Sequence, residues 1–384
     1  MDKIDFIQNV STSFKVKYNK SPEIISTAPG RINLIGEHTD YNNGLAMPIA
    51  INRWVTSCLS KSKGSSFSVF SINYGKTVYI NPDISLDTDD QWVKLVSKII
   101  FILSHEYEIS AGVDIAVEGN IPIGCGLSSS AAFIVSISLG ILKLFDIEIS
   151  KKKLADLSQK IEKSALGIDC GLLDYYSVIY SKQNCAMTID FKFNKFDFIA
   201  VPKDKFSIIV INSLVYRELA NSEYLERVKQ CRDGLEIIKS KYNISDFRDL
   251  DVQMLDSLRH NRILYNRLKH FLDENQRVRD MQLKLGDSHI EAGRILCSSH
   301  NSLKNLYEVS CEEIDYIIDI SESFNGWYGG RIIGGGFGGC SIHIVDINMI
   351  LDYQNYINKC FSKKYNYDLD ILEVKYSSGI SVHR

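Results

Sequence analysis

Residues Ile121 to Leu142 read IPIGCGLSSSAAFIVSISLGIL, and the arrangement of the rest of the chain follows from how this stretch is read. Gly124 and Gly126, on either side of Cys125, let the backbone turn tightly without Cβ clashes. Ser128, Ser129 and Ser130 are then placed to cap a helix that continues through Phe133, Ile134, Ile137, Leu139, Ile141 and Leu142. The first N–H groups of a helix lack internal partners and lie at the positive end of its dipole, so such a loop can hold an anion, typically a phosphate. A neighbouring hydroxyl can serve the magnesium that travels with it. Two blander readings compete. The stretch is uncharged for longer than a bilayer needs, but Pro122, the glycines and the serines fill its first third and the apolar remainder is too short to span. A plain structural N-cap is the other, and the stretch alone does not decide against it. No glycine-lysine pair follows, so this is not a Walker loop.

Around this loop the chain supplies the parts of an anion site in order. Val113 to Val117 reads as a strand feeding the loop. Upstream, Trp92, Leu95, Val96, Ile99, Ile100 and Leu103 mark a helix, with Trp92 either stacked on a purine base or simply core. Downstream, Lys151 to Leu166 is a helix carrying Glu162 on a mostly polar face. In GIDCGLLDYYSVIY, Asp174 sits among Leu172, Leu173, Tyr175 and Tyr176, where a carboxylate is either a satisfied structural group or a functional one.

Further out lies TAPGRINLIGEHTDYNNG, Thr27 to Gly44, entered from a strand at Glu23 to Ala28. Arg31, Glu37, His38 and Asp40 crowd together here between turn formers. Arginine offers a fixed fork for phosphate or carboxylate, and Glu, His and Asp together suit hydroxyls such as those of a sugar. The competing reading is a solvated polar loop. Phe6, Ile7, Val10 and Phe14 predict a first amphipathic helix. Strands are expected at Leu45 to Ile51, Trp54 to Leu59, Ser66 to Ile72 and Val78 to Ile80, with polar turns between them. After an apolar strand at Phe206 to Asn212 the pattern changes to helices, approximately Asn221 to Lys241, Leu250 to Leu285, Asp287 to Leu303 and Cys311 to Phe324. A second glycine cluster, GGRIIGGGFGGC from Gly329 to Cys340, leads into a strand at Ser341 to Val345. A helix at Met349 to Phe361 and a strand near Asp370 to Lys375 follow. The expected division is two domains, 1–205 and 206–384.

Composition narrows the function classes. A chain of 384 residues is long enough for two domains that each bury a core. Its 45% hydrophobic and 24% charged residues are those of an ordinary soluble globular protein. A formal net charge of −3 gives no reason to expect nucleic acid or an anionic membrane as partner, so an anionic substrate needs a local site. Nine cysteines, with no CxxC pair and no zinc spacing, point to reduced thiols in a cytoplasm. The opening MDKIDFIQNV has an early acid and no apolar run, so secretion is not expected.

In this order the motifs resemble those of the GHMP kinases, the superfamily of galactokinase, homoserine, mevalonate and phosphomevalonate kinases. GRINLIGEHTDY, Gly30 to Tyr41, matches the galactokinase signature throughout and sets the branch. SEYLERVKQC at Ser222 to Cys231, HNSLKNLYEVSCEEID at His300 to Asp315 and GGGFGGC at Gly334 to Cys340 also match, so the resemblance runs from about Ala28 to Cys340. It implies an α+β fold of two domains with the active site in the cleft between them. It implies Arg31 and Asp174 at the reacting centre, and Glu37, His38, Asp40, Gly171 and Tyr224 at the sugar. Gly124, Cys125, Gly126, Leu127, Ser128, Ser129 and Ser130 then hold the phosphates of ATP, Ser129 or Ser130 with Glu162 holds Mg2+, and Trp92 lies near adenine. Two residues depart from the family pattern: Tyr175, where glutamine usually follows the catalytic aspartate, and Cys125, where glycine or alanine is common. Neither removes a reacting group, though Tyr175 is expected to bear on the shape of the sugar pocket.

The implied activity is phosphorylation of galactose at C1 by ATP. Two alternatives are an anomeric kinase for a uronic acid or amino sugar, and a galactose and ATP sensor without catalysis. The complete serine loop speaks against the sensor, and the absence of a basic group in place of Glu37 or His38 speaks against the other kinase. The sequence does not set the oligomeric state; a monomer is compatible with it.

Overall fold

Two long antiparallel strands form the spine of the molecule: β1 (Ile24–Ile35) and β2 (Leu45–Lys61) pair from Ile24 opposite Leu59 to Ile35 opposite Met47. The computed structural model describes all residues except 1, 87, 123, 168–170 and 216–219, and the backbone alone of 220 and 221. Ahead of the spine, α1 (Lys3–Tyr18) is capped by Asp2, whose carboxylate accepts from the Asp5 N–H, and ends at Asn19 in the left-handed region. Phe6, Val10 and Phe14 recur every four residues and pack on Trp54, Cys58 and Ala116, covering one face of the sheet.

After the spine come β3 (Phe67–Ser71), β4 (Lys76–Ile80), α2 (Gln91–Glu106), β5 (Val113–Gly119), α3 (Ser129–Leu144), α4 (Lys151–Leu166), α5 (Leu173–Tyr180), β6 (Cys185–Asp190) and β7 (Lys195–Ala200). The sheet runs β4–β3–β5–β2–β1, with β6 and β7 extending from the start of β2. Helix α3 packs on β1 and β2 and against α2, α4 and α5. This explains its lack of charge: Ile134, Val135, Ile137, Ile141 and Leu142 are fully buried in protein. Among the described residues no helix is long and apolar enough to cross a membrane.

The second half contributes β8 (Phe206–Asn212), α6 (Ala220–Lys239), α7 (Arg262–Lys284), α8 (His289–Ser302), α9 (Glu312–Ser321), β9 (Trp327–Ile332), β10 (Cys340–Asp346), α10 (Ile350–Tyr365) and β11 (Asp370–Val374). Its sheet, β11–β8–β10–β9, is antiparallel throughout. Alternation along β8 sends Ile208 and Val210 into the first core and Ile209 and Ile211 into the second, so this sheet is buried on both faces. Helix α7 divides the same way. Leu264, Leu268 and Phe271 enter the second core, while Val278 and Met281 enter the first.

Three expectations change. The strands at Leu45 to Ile51 and Trp54 to Leu59 are one, because the polar residues between them are paired and not turned. Asn52 donates its N–H to the Lys375 carbonyl at 2.9 Å and accepts from the Lys375 N–H at 2.9 Å. The helix expected over Leu250 to Leu285 is α7 preceded by short 3-10 turns at Phe247–Asp249 and Val252–Leu258. Asp246, Asp251 and Asn261 each accept a backbone N–H with the side chain and so restart the helix three times. Finally β6, β7 and a closing strand β12 (Ser381–His383) were not anticipated. β12 pairs with β1, Ile25 opposite His383, which returns the end of the chain to the first sheet.

Candidate active site

The site is built where β1 becomes irregular. Its register on β2 shifts between Pro29 and Arg31, and such an irregularity re-aims the next side chain. Gly30 is required there, since a Cβ would come within 2.9 Å of the Leu127 carbonyl, which also accepts from the Arg31 N–H at 3.1 Å. Arg31 donates Nε to Asp174 Oδ1 at 2.9 Å, Nη2 to the same oxygen, and Nη1 to the carbonyl of Gly126. One buried guanidinium therefore joins the acid in the first turn of α5 to the glycine loop before α3. The Asp174 side chain remains 32% exposed.

The sugar-signature loop, from Gly36 to Leu45, is anchored by side chains of the other half. Gly36 has φ +97°, and a Cβ there would strike the Leu45 carbonyl at 2.4 Å. Glu274, fully buried in the middle of α7, accepts from the N–H groups of Gly36 at 3.0 Å and Glu37 at 3.3 Å and from Ser299 Oγ at 2.8 Å. Its other oxygen accepts from Arg277 Nε at 2.7 Å. Burial opposes ionisation of Glu274, but Arg277, His270 and Arg331 outweigh it and bring the carboxyl down to about 2. Burial lowers His270 to about 4, so its imidazole is neutral; Nε2 lies 3.2 Å from the Glu37 carbonyl and Nδ1 2.8 Å from Ser302 Oγ. Donation from Nε2 to the carbonyl leaves Nδ1 to accept from the hydroxyl. Asn275 accepts from the Leu45 N–H at 2.7 Å.

Within this frame Glu37 accepts from Asn33 Nδ2 at 3.0 Å, the Gly334 N–H at 2.9 Å and Arg331 Nη2 at 3.2 Å, tying the loop to the second glycine cluster. His38, at φ +60°, has Nδ1 2.9 Å from Tyr41 Oη, which lies 2.8 Å from Tyr307 Oη. Burial, and after it the neighbouring His270 and Arg227, lower His38 to about 3, so its imidazole is neutral as well. The Tyr224 ring stands 5.5 Å from His38 and edge-on to Tyr41. Asp40 lies against Gly171 so closely that a Cβ at 171 would fall 1.7 Å from Oδ2. Burial, and next the charge of Asp174, raise Asp40 to about 7. Asp40, Gly171 and Leu172 line a cavity of about 410 Å³ together with Lys229 and Arg232 of α6.

At the other end, Trp92 and Tyr74 stack at 5.8 Å beside Ser129, Ser130 and Phe133 around a cavity of about 240 Å³. The Trp92 Nε1 donor is buried with no partner, as a slot for a flat base with one acceptor would leave it. The expected serine cap is not there. Ser128 occupies the N-cap position in the left-handed region, whereas a capping side chain needs extended backbone. Its hydroxyl is buried and unpartnered next to the first N–H groups of α3. Cys125 and Leu127 turn into the core, so they offer only backbone to the loop's mouth. Cys340, hydrogen-bonded to Cys125 and buried, is held well above the usual thiol range. Gly126 touches the second glycine cluster; a Cβ there would be 3.3 Å from Gly334 Cα. Gly124, Cys125 and Gly126 face Gly335 to Cys340 across a cavity of about 150 Å³.

Glu162 of α4 is buried, and Tyr175 Oη donates to its Oε2. Among the described residues no group of three or more His, Cys, Asp or Glu side chains could hold a metal alone. A hydroxyl, one carboxylate and nucleotide phosphates nevertheless form a donor set that magnesium accepts. Tyr175 is fully buried and aimed at Glu162, and it does not line the cavity beside Asp40 and Gly171. Sequence reasoning missed Glu274, His270, Asn275 and Arg331. The available signal was Arg267, His270, Glu274 and Asn275 recurring at helical spacing with Leu264, Leu268, Phe271 and Val278, on the buried side of α7.

Comparison with known proteins sets the chain among its relatives. Residues 12–61 match the galactokinase galactose-binding signature, 94–182 the GHMP kinases N terminal domain and 283–348 the GHMP kinases C terminal region. Over 382 residues the chain is 31% identical to a galactokinase of Staphylococcus carnosus, covering 97% of this chain and 98% of the relative. The chain belongs to the galactokinase family. A Thermotoga maritima galactokinase is 34% identical over 92% of this chain and 98% of its own. The solved structure of Lactococcus lactis galactokinase complexed with galactose matches this galactokinase-family chain with a TM-score of 0.91 at 27% identity, covering 98% and 99% of the two chains. Methanococcus jannaschii mevalonate kinase, at 19% identity and a TM-score of 0.67, shares the two-domain α+β fold.

Proposed function

We propose that the chain transfers the γ-phosphoryl group of ATP to the C1 hydroxyl of D-galactose, giving galactose 1-phosphate and ADP. The observation that carries this is the double grip of Arg31 on Asp174 and on the Gly126 carbonyl, which ties an acceptor-side acid to a phosphate-side loop. Asp174 takes the C1 hydroxyl proton as the bond from that oxygen to phosphorus forms and the bond to the bridging oxygen of ADP breaks. In a loose transition state the proton leaves late, so a well-placed carboxylate suffices. Both Arg31 donors to Asp174 reach Oδ1, leaving Oδ2 to the substrate hydroxyl. The planar fork also neutralises charge on the transferred oxygens, which an ammonium would do with less geometric control.

The remaining assignments follow the two ends of the cleft. Asp40 accepts from the C3 and C4 hydroxyls against the bare backbone of Gly171, with Glu37, His38 and Tyr224 completing the sugar site. Trp92 covers adenine, and the backbone from Gly124 to Ser128 with Ser129 and Ser130 cradles the phosphates. Ser129 or Ser130 with Glu162 would hold Mg2+, which when bound offsets the charge of the β- and γ-phosphates. The division at 205/206 puts the sugar signature and phosphate loop in the first lobe, and the chain works on these small molecules in the cytoplasm.

A coupled ADP-release assay over a panel of hexoses tests the reading. Galactose should lead glucose by a wide margin in kcat/KM, because an equatorial C4 hydroxyl leaves a buried acceptor unpaired. A uronic acid or amino sugar as best substrate would overturn it, and so would sugar and ATP binding without ADP release.

A further inference from the structure

The residue after the proposed proton acceptor does a different job from its neighbour. Asp174 and Tyr175 leave the first turn of α5 in different directions: Asp174 toward Arg31 and the half-open cleft, Tyr175 into the core with no exposed surface. The phenol is fixed there by packing and ends on Glu162 Oε2, the carboxylate assigned above to magnesium. A buried phenol has two rotatable side-chain bonds and both are set by its surroundings, so its hydroxyl can impose a position on a softer glutamate.

We propose that Tyr175 is a positioning residue for the metal carboxylate: its hydroxyl bonds Glu162 Oε2 and fixes the orientation in which the carboxylate would meet the cation. The proposal rests on the magnesium assignment made above. Magnesium demands near-ideal octahedral geometry and takes one oxygen from each carboxylate, so a glutamate free to swing or to chelate through both oxygens suits it poorly. Partners that hydrogen-bond a ligating carboxylate orient it, and losing one typically costs ~10- to 100-fold in metal affinity. One helical turn thus sets both the acid at the sugar and the ligand at the nucleotide.

Calorimetric binding of ADP with and without Mg2+, together with galactose binding in chelator, tests this without turnover. For Tyr175→Phe, ADP affinity in chelator and galactose affinity should stay within about twofold of the parent, while the Mg2+ concentration that half-saturates the ADP complex rises ~10-fold or more. An unchanged Mg2+ requirement would overturn the proposal. Loss of galactose binding in chelator would overturn it too, because the hydroxyl would then be a strut of the fold. Glu162→Gln separates the two readings. If it leaves the Mg2+ requirement unchanged, the metal assignment itself fails. If it shifts the requirement and Tyr175→Phe does not, only the role of Tyr175 fails.

Discussion

The loop assigned above to the sugar and the loop assigned to the phosphates are held by opposite means. Gly36 to Leu45 hangs on buried side chains from the other half of the chain, with Glu274, His270 and Asn275 all bonded to its backbone. The loop assigned to the phosphates is held mostly by backbone proximity, Leu127 against Gly30 and Gly126 against Gly334, with one arginine on a carbonyl and the Cys125–Cys340 contact. Ser128 is left with an unpartnered hydroxyl. A neutral sugar brings no charge with which to organise its site, so the protein organises it beforehand with ions of its own. A nucleotide brings several charges, and the loop proposed to hold it keeps the Ser128 hydroxyl unpaired.

The largest expected effect lies where the two loops meet. Asp174→Asn should lower kcat by ~10² to 10⁴ while ADP binding persists, and near-normal turnover in the purified variant would detach the acid from both loops. Next is the prebuilt loop. Glu274→Gln breaks a buried ion pair and should cost about 3 to 5 kcal/mol of stability, with galactose KM rising more than ATP KM; denaturant melts and the two KM values check this. Acid should attack the same region. The unfolded chain takes up protons at His38 and His270 below 6.5 and at Glu274 below 4.5, whereas the folded protein refuses them until about 3, 4 and 2, so stability declines as pH falls from 6.5.

Smaller effects sharpen the contrast. Ser129→Ala with Ser130→Ala should weaken MgADP binding by ~10- to 100-fold and leave both the melting temperature and galactose binding nearly untouched. A large fall in melting temperature would mean that the phosphate loop, too, is structural. The mildest is a pH effect at the sugar. Asp40, raised to about 7, loses its acceptor form as pH drops through that value. Galactose should therefore bind roughly tenfold more weakly at pH 6 than at pH 8, and Asp40→Asn should flatten the profile; an unflattened profile would place the titrating group elsewhere.

What could be read beforehand divides along the same line. The loop assigned to the phosphates is a local object: strand, glycines, serines and helix follow one another, so Gly124 to Ser130 is legible in sequence, although the left-handed backbone at Ser128 rules out the side-chain cap its position suggests. The sugar loop is not local. Arg31 to Asp40 drew notice as a cluster, but what holds it lies over two hundred residues away on α7, where His270 and Glu274 look like the polar face of a surface helix. Only their spacing among Leu268, Phe271 and Val278 betrays that they point inward. Asn52 misled for a related reason, since a polar residue inside a strand looks like a turn until its distant partner, Lys375, is known.

The pairing of β12 with β1 has a consequence for how the molecule is made. β1 carries Arg31 and is among the first strands to leave the ribosome, yet the residues that cover its outer edge are numbers 381–383. At 5 to 20 residues per second, that edge stays open for about 20 to 70 s of synthesis. For that interval a nascent chain offers a bare row of backbone donors and acceptors to any passing strand. β1 is thus made long before the strand that seals its outer edge, and a chain released before residues 381–383 leaves with that seam undone.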